Sequence, residues 1–326
     1  MTGQSINRQS KRVLVFGASG TIGQAVVRAL AQGGYEGVGV MRRSADNEAL
    51  AAELDRDGCA VHFADVTDRP AIAEAFARAR PEAVISCLAS RSGAPRDADR
   101  IDFQANLDVL DEAEAAGVRQ FVLLSAICVQ KPRLAFQHAK LRFERRLQVS
   151  GLTWSIVRPT AFFKSLSGQV ERVKAGKPFL LFGDGELTRC KPISDADLAR
   201  FIVGCIDDPA RHRCILPIGG PGPAISPREQ GAMLFELAGK APRFRSMTPG
   251  LFRLIAALLS PFAPISDWMA EKREYMRIAH YYATQSMLVW DVEASEYSED
   301  ATPEFGRDTL QEHYRYLLDS HAKPEA

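Results

Sequence analysis

Residues 12–23 read RVLVFGASGTIG, and the chain runs on as QAVVRALAQGG to Gly34. A short β-branched run, Arg12–Phe16, meets a turn with glycine at positions 17, 20 and 23, and an apolar-periodic segment follows at once. Strand, glycine turn, helix is the order of a dinucleotide-binding crossover, in which each glycine has its own steric reason. Without a side chain at Gly17 the chain can turn sharply; at Gly20 backbone N–H groups can approach a pyrophosphate; at Gly23 the helix can pack closely on the strand. The helix start adds unpaired donors and a partial positive charge. A purely structural turn accounts for one of these glycines and leaves the others unexplained. Gly17, Ser19, Gly20, Thr21, Ile22 and Gly23 are therefore the expected phosphate cradle.

The rhythm repeats downstream. Gly37–Met41 (GVGVM), Ala60–Phe63 and Ala83–Cys87 read as strands, and a long amphipathic helix over Asp99–Ala116 leads to a strand at Gln120–Ser125. A helix from Phe136 to Val149 and a strand at Thr153–Val157 follow; then the alternation breaks, with a last strand expected at Cys214–Ile218. Such alternation predicts the α/β class with a parallel, doubly wound sheet, the Rossmann fold. Gly183-Asp184-Gly185 marks a tight turn, Ser194 or Asp195 precedes a helix as its cap, and Ser226-Pro227-Arg228-Glu229 carries a capping-box pattern. The expected organisation is a tail over 1–11, an NAD(P)-binding domain over 12–218, and a smaller, mainly helical substrate-binding region over 219–326 that begins with the linker GGPGP.

Arg42 and Arg43 close the second strand, where an NAD-selective site carries an acid for the ribose hydroxyls. Guanidinium groups there suit a 2′-phosphate instead, so the expected cofactor is NADPH. Two solvated surface arginines would give the same sequence. Globally, Lys+Arg 41 against Asp+Glu 40 leaves a formal charge of +1, so no overall field recruits nucleic acid. The six cysteines form no C-x-x-C pair, which argues against a zinc ribbon, an iron–sulfur cluster or a dithiol centre. Most fall in apolar patterns, as buried thiols of a reducing compartment do. MTGQSINRQSKR at the start lacks the apolar core of a signal peptide. The apolar run Leu251–Ile265 is interrupted by Arg253, Pro261 and Pro264 and is shorter than the ~20 residues a bilayer span requires. A cytoplasmic protein is expected, with peripheral contact to a membrane left open.

Four further stretches carry a resemblance: SAICVQKP at 125–132, FQHAKLRFE at 136–144, RPTAFFKSLSGQ at 158–169 and QSMLVWD at 285–291. They closely resemble the NADPH-dependent 8-vinyl reductases of divinyl chlorophyllide, atypical NmrA-like short-chain dehydrogenases/reductases, and the likeness runs from Lys11 to about Leu318. It implies reduction of the 8-vinyl group of magnesium-bearing divinyl chlorophyllide or protochlorophyllide to ethyl, in chlorophyll or bacteriochlorophyll biosynthesis. In the wider family a strand-end Ser faces a Tyr-x-x-x-Lys helix, in which Tyr supplies the proton and Lys supports it and the nicotinamide ribose. Here Ser125 and Lys140 are present and the Tyr position is Phe136. The resemblance also implies that Asp65 and Val66 lie beside the adenine, Leu88, Ala89 and Ser90 beneath the nicotinamide, and Pro159 and Thr160 beside its carboxamide.

Phenylalanine has no ionisable hydrogen, so carbonyl–alcohol chemistry loses its principal acid at Phe136. A vinyl group conjugated to a tetrapyrrole forms no alkoxide: it takes hydride at its terminal carbon, and the carbanion spreads into the macrocycle until a proton arrives. Such a site needs a positioned hydride donor and a proton source, and Phe136 can offer an apolar face. Lys140, on the same helix face as Phe136, either orients the ribose alone or also delivers the proton. Ser125 either bonds the nicotinamide or a water, or merely caps its strand. His138 points about 200° away from Phe136 around the helix, out of the pocket. His280 is a candidate ligand of the substrate's magnesium, and Lys191, Arg243 and Arg245 are candidate partners of its propionate. The same residues also fit a non-catalytic NADP-binding sensor or assembly module, or a reductase of another conjugated alkene.

Overall fold

The computed structural model describes residues 11–319 except 262 and 264, so the expected tail, apart from Lys11, and Pro264 lie outside the described residues. Strand β1 (Arg12–Phe16) is followed by helix α1 (Thr21–Gln32), which buries Ile22, Gly23, Val26, Val27 and Leu30. The spacing of these residues puts one apolar stripe on the sheet, and each fully buried aliphatic side chain contributes about 1.5–3 kcal/mol. The alternation continues through β2 (Glu36–Met41), α2 (Ala45–Arg56), β3 (Ala60–Phe63), α3 (Arg69–Ala79), β4 (Ala83–Ser86), α4 (Asn106–Ala115), β5 (Gln120–Leu124), α5 (Ala135–Gln148) and β6 (Thr153–Pro159). After β7 (Phe179–Phe182) and α6 (Asp195–Gly204), strand β8 (Cys214–Ile218) completes the main sheet.

That sheet has seven strands in the order β3-β2-β1-β4-β5-β6-β8. Every neighbouring pair is parallel, with Phe16 in register with Val40 on one side and Ser86 on the other. The strand order reverses between β1 and β4, and in open sheets of this kind the ligand crevice lies beyond the carboxyl ends at that reversal. One buried layer gathers Val15, Val26, Leu30, Val122 and Leu198; the other gathers Phe16, Phe76, Phe121, Phe143 and Trp154.

The long helix expected over Asp99–Ala116 is divided. Ala98–Ala105 winds as a π-helix, and only then does α4 begin. The wider turn is held from inside: the Asn106 amide donates to the carbonyls of Ile101 and Asp102 at 3.1 and 3.3 Å, while Ser86 Oγ donates to Asn106 Oδ1 at 2.6 Å. The π segment thereby turns Asp102 into the interior, where it is 1% exposed. Such local widenings recur at functional sites.

Helix starts behave as their side chains dictate. Ser194, rather than Asp195, caps α6 by accepting from Asp197 N at 3.0 Å. The capping box of α7 (Pro227–Leu237) forms with both bonds, Glu229 N to Ser226 Oγ and Ser226 N to Glu229 Oε2. Beyond it come β9 (Phe244–Met247), α8 (Gly250–Leu259), α9 (Asp267–Thr284), the hairpin β10 (Val289–Asp291) and β11 (Glu296–Ser298), and α10 (Leu310–Asp319). Strands β7 and β9 pair parallel in a small second sheet, and Phe179, Leu181, Leu234, Phe235, Leu310 and Tyr314 pack a second core around it. Among the described residues no helix is long and apolar enough to cross a membrane.

Candidate active site

The glycine turn closes as its composition requires. Gly17 has φ +80°, and a Cβ there would lie 2.8 Å from the Cys87 carbonyl oxygen; at Gly23 it would lie 2.2 Å from the Gly17 oxygen. Both approaches exclude a side chain. Helix α1 starts after Gly20 with no side-chain cap, leaving its first N–H groups for an outside acceptor. Lys164 reaches this helix start from the stretch after β6, its Nζ 3.2 Å from Thr21 Oγ1. Open donors, a tight backbone cradle and a nearby ammonium together fit a dinucleotide's diphosphate.

Arg42 and Arg43 stand exposed at the end of β2. Arg43 donates to Glu48 at 2.6 Å and lies 4.3 Å from the centre of the Phe63 ring. Asp65 accepts from the backbone N–H and hydroxyl of Thr67 at 2.9 and 2.8 Å; chiefly that backbone bond holds its carboxyl below the usual range. Val66 and Leu88 are buried, and Ala89 is exposed.

Around the central stretch two buried polar networks meet helix α5. In the first, Lys140 Nζ lies 2.9 Å from Asp102 Oδ1, and Asp102 also accepts from Ser90 Oγ at 2.5 Å and Ser90 N at 3.3 Å. In the second, Ser125 Oγ donates to Glu144 Oε1 at 2.5 Å, and Glu144 is ion-paired with Arg158. Lys140 and Glu144 are four residues apart on α5, so one helix face serves both networks. Phe136 is half-buried beside Cys128, Leu134, Ile278 and Tyr281. His138 is exposed.

A cavity of about 580 Å³ opens beyond the carboxyl ends of β5 and β6, walled by Ala126, Cys128, Phe162, Phe179, Phe182 and Met287 among others. Its size and apolar lining suit a small-molecule ligand. Among the described residues lining it Arg189 alone is charged, paired with Glu229 at 2.6 Å. Of the residues expected from the sequence, Pro159 and Thr160 line the cavity, whereas Ser125, Phe136 and Lys140 do not. Tyr282, on α9, lines it too, and sequence reasoning passed over it for its neighbour His280. His280 sits in a separate pocket of about 190 Å³ with Arg133, Arg253 and Arg277. Burial first, then Arg253 and Arg133, push its pKa down. Lys191 is buried against Glu304 at 2.5 Å, and Arg243 donates to the Gly176 carbonyl, so neither lines the cavity.

The SAICVQKP and QSMLVWD stretches touch each other. The Gln130 amide accepts from Trp290 N at 2.8 Å and donates to the Leu288 carbonyl at 2.6 Å, and Lys131 Nζ stands 3.4 Å from the Trp290 ring centre. The cavity's inner wall is thus clipped to the C-terminal hairpin.

A parallel sheet of this order, with an open helix start behind a glycine turn and a cavity at the strand ends, defines the class: an α/β NAD(P)H-binding protein. The NAD(P)H-binding family matches residues 17–209. The fold recurs in the NADPH-dependent quinone oxidoreductase QOR2 of Escherichia coli, solved with NADPH, at TM-score 0.68 and 19% identity over 94% of this chain and 100% of that one. It recurs also in the leucoanthocyanidin reductase–NADPH complex of Vitis vinifera, at TM-score 0.69 and 15% identity over 95% of this chain and 100% of that one. The chloroplastic divinyl chlorophyllide a 8-vinyl-reductase of Oryza sativa subsp. indica is 45% identical over 328 residues, covering 97% of this chain and 80% of that protein. The Arabidopsis thaliana protein of the same name is 43% identical over 320 residues, covering 94% and 76%. The chain belongs to the divinyl chlorophyllide a 8-vinyl-reductase family.

Proposed function

We propose that the chain reduces the 8-vinyl group of divinyl chlorophyllide or protochlorophyllide to ethyl at the expense of NADPH. The observation that carries this beyond kinship is the cavity itself: apolar walls, Arg189 as the charged side chain among the described residues lining it, and a mouth at the ends of β5 and β6. An apolar macrocycle with a carboxylate edge matches that lining, and Arg189 is the residue suited to the carboxylate.

In this reading the turn from Gly17 to Gly23, with Lys164, holds the diphosphate, and Arg42 and Arg43 take the 2′-phosphate. Asp65 and Val66 flank the adenine; Leu88, Ala89 and Ser90 with Pro159 and Thr160 enclose the nicotinamide. Lys140, steadied by Asp102, serves the ribose, and Ser125 fixes the end of β5 through Glu144. Phe136 packs α5 against α9. When bound, the reduced nicotinamide supplies a hydride. The protein's own part is to align the vinyl group, keep water off the cavity walls and deliver a proton. Peripheral membrane contact belongs to α8, whose Leu251, Leu254 and Leu258 stand exposed beside Arg253 with no acidic residue in the helix; co-sedimentation with anionic vesicles tests it, and a Leu254→Glu, Leu258→Glu variant that still sediments speaks against it.

The direct test mixes protein, NADPH and divinyl chlorophyllide. The expected result is a blue-shifted Soret band and a monovinyl product on chromatography. A chain that binds NADPH and leaves the pigment unchanged is the non-catalytic module instead.

A further inference from the structure

Reduction of a conjugated vinyl group requires a proton as well as a hydride, yet the polar groups of the central stretch are committed elsewhere. The Lys140 ammonium is paired with Asp102 at 2.9 Å, and the Ser125 hydroxyl gives its hydrogen to Glu144 at 2.5 Å. Phe136 has no acidic hydrogen, and none of the three lines the cavity.

The groups that do line it differ sharply as acids. A guanidinium such as that of Arg189 keeps its protons. The Thr160 hydroxyl is bound to the Lys191 carbonyl. Cys128 and Cys190 are 2% and 6% exposed, and burial pushes the Cys190 thiol up to about 12 and the Cys128 thiol in the same direction. Tyr282 stands apart. Adjacent residues on a helix point about 100° apart, and near the end of α9 this splits a tyrosine pair. Tyr281 turns inward, 3% exposed, and donates to the Cys128 carbonyl at 2.9 Å. Tyr282 turns into the cavity, 46% exposed, with its hydroxyl 3.9 Å from Cys128 Sγ. Cys128 belongs to the loop that leaves β5 directly after Ser125. A phenol is thereby held at the carboxyl end of β5, on a cavity wall shared with Pro159 and Thr160, and it comes from α9 rather than from α5.

We infer that Tyr282 is the catalytic proton donor of the vinyl reduction, supplying from α9 the acid that position 136 lacks. The inference rests on the vinyl-reductase reading above. The electron count closes: the vinyl group gains hydride at its terminal carbon as the nicotinamide is oxidised, and its π pair moves to the inner carbon and the macrocycle. The Tyr282 O–H bond then breaks as the inner C–H bond forms, and solvent reprotonates the phenolate once the product has left. The protein around the hydroxyl, by desolvation first, raises its pKa well above the ordinary tyrosine value, so the donor stays protonated at working pH. A carbanion is basic enough to take a proton from such a weak acid.

The test compares wild type, Tyr282→Phe and Cys128→Ala with NADPH and divinyl chlorophyllide. Tyr282→Phe loses one oxygen from a half-open ring, so NADPH affinity by fluorescence and pigment affinity by Soret difference spectrum should match wild type. Its kcat should fall about 100-fold or more, the range a positioned general acid contributes, with KM nearly unchanged. Cys128→Ala, which removes the neighbouring thiol from the same wall, should lose less kcat than Tyr282→Phe. The inference is overturned if Tyr282→Phe turns over like wild type, if its loss is wholly in pigment affinity, or if Cys128→Ala loses more kcat than Tyr282→Phe. Wild type that binds both ligands and makes no monovinyl product overturns the vinyl-reductase reading, and this inference with it.

Discussion

Replacing Asp102 by asparagine strands a buried ammonium. The Lys140 side chain is 10% exposed and that of Asp102 1%, with 2.9 Å between their charged atoms. Asparagine keeps an acceptor for Ser90 but brings no charge, so the cost of removing the Lys140 ammonium from water is no longer offset. Breaking one side of a buried pair costs about 3–5 kcal/mol. At the shallow end of the usual conversion, about 2 °C per kcal/mol for a large domain, the melting temperature should fall by about 6–10 °C. Calorimetry on wild type, Asp102→Asn, Lys140→Met and the double variant separates pairing from packing. The double variant leaves neither charge stranded and should recover much of the loss, a coupling of about 1 kcal/mol or more. On the proposed reading Lys140→Met should also weaken NADPH binding, its ammonium then missing from the ribose. The reasoning is refuted if Asp102→Asn melts within about 2 °C of wild type, or if the two single losses add to within about 0.5 kcal/mol.

Three further outcomes follow from the cofactor groove and from a half-buried imidazole. If Arg43 takes the 2′-phosphate as proposed, Arg43→Ala should raise the NADPH dissociation constant about 10-fold or more while leaving NADH unchanged, by fluorescence titration; equal losses for both would refute the assignment. Lys164→Ala, proposed to act at the shared diphosphate from beside Thr21, should weaken NADPH and NADH alike, by about 5-fold; a loss confined to NADPH would place Lys164 elsewhere. His313 has its pKa lowered by burial, with Nε2 2.9 Å from Ser167 Oγ. The unfolded chain therefore takes that proton first: the neutral ring's contribution to stability is complete above the ordinary value of 6.5 and is lost as pH falls from there towards the lower folded pKa. His313→Gln should flatten the fall in melting temperature on that acid side, and an unchanged slope would acquit this ring.

Legibility along the chain divides by range. The turn from Gly17 to Gly23, the capping box at Ser226 and the strands up to the one that starts at Thr153 were readable because each depends on neighbours in sequence: a steric demand at a turn, an N–H satisfied three residues away, a run of alternating elements. The π segment Ala98–Ala105 was not, because its apolar spacing is still that of a helix and Asn106, which bonds back into it, meets its partner Ser86 on β4. The polar contacts of the central stretch were hidden for the same reason. A lysine four residues after Phe136 can be placed on a helix face, but the sequence says nothing of the aspartate that meets it from the π segment 38 positions earlier (140 − 102). The acid that position 136 lacks was looked for on α5, since a local motif puts it there. A tyrosine hydroxyl approaches the same strand end from residue 282, and Cys128, which it approaches, is separated from it by 154 residues. No periodicity or spacing encodes that meeting; the fold supplies it by clipping the loop after β5 to the C-terminal elements through Gln130, Tyr281 and the β10 strand. The clip therefore bears on the chemistry as well as on stability. Gln130→Ala, which cuts both bonds to the hairpin while leaving every group on the cavity wall, should loosen the loop against α9 and lower kcat more than it raises the NADPH dissociation constant, whereas parallel changes in the two would mean that the clip only holds the fold together.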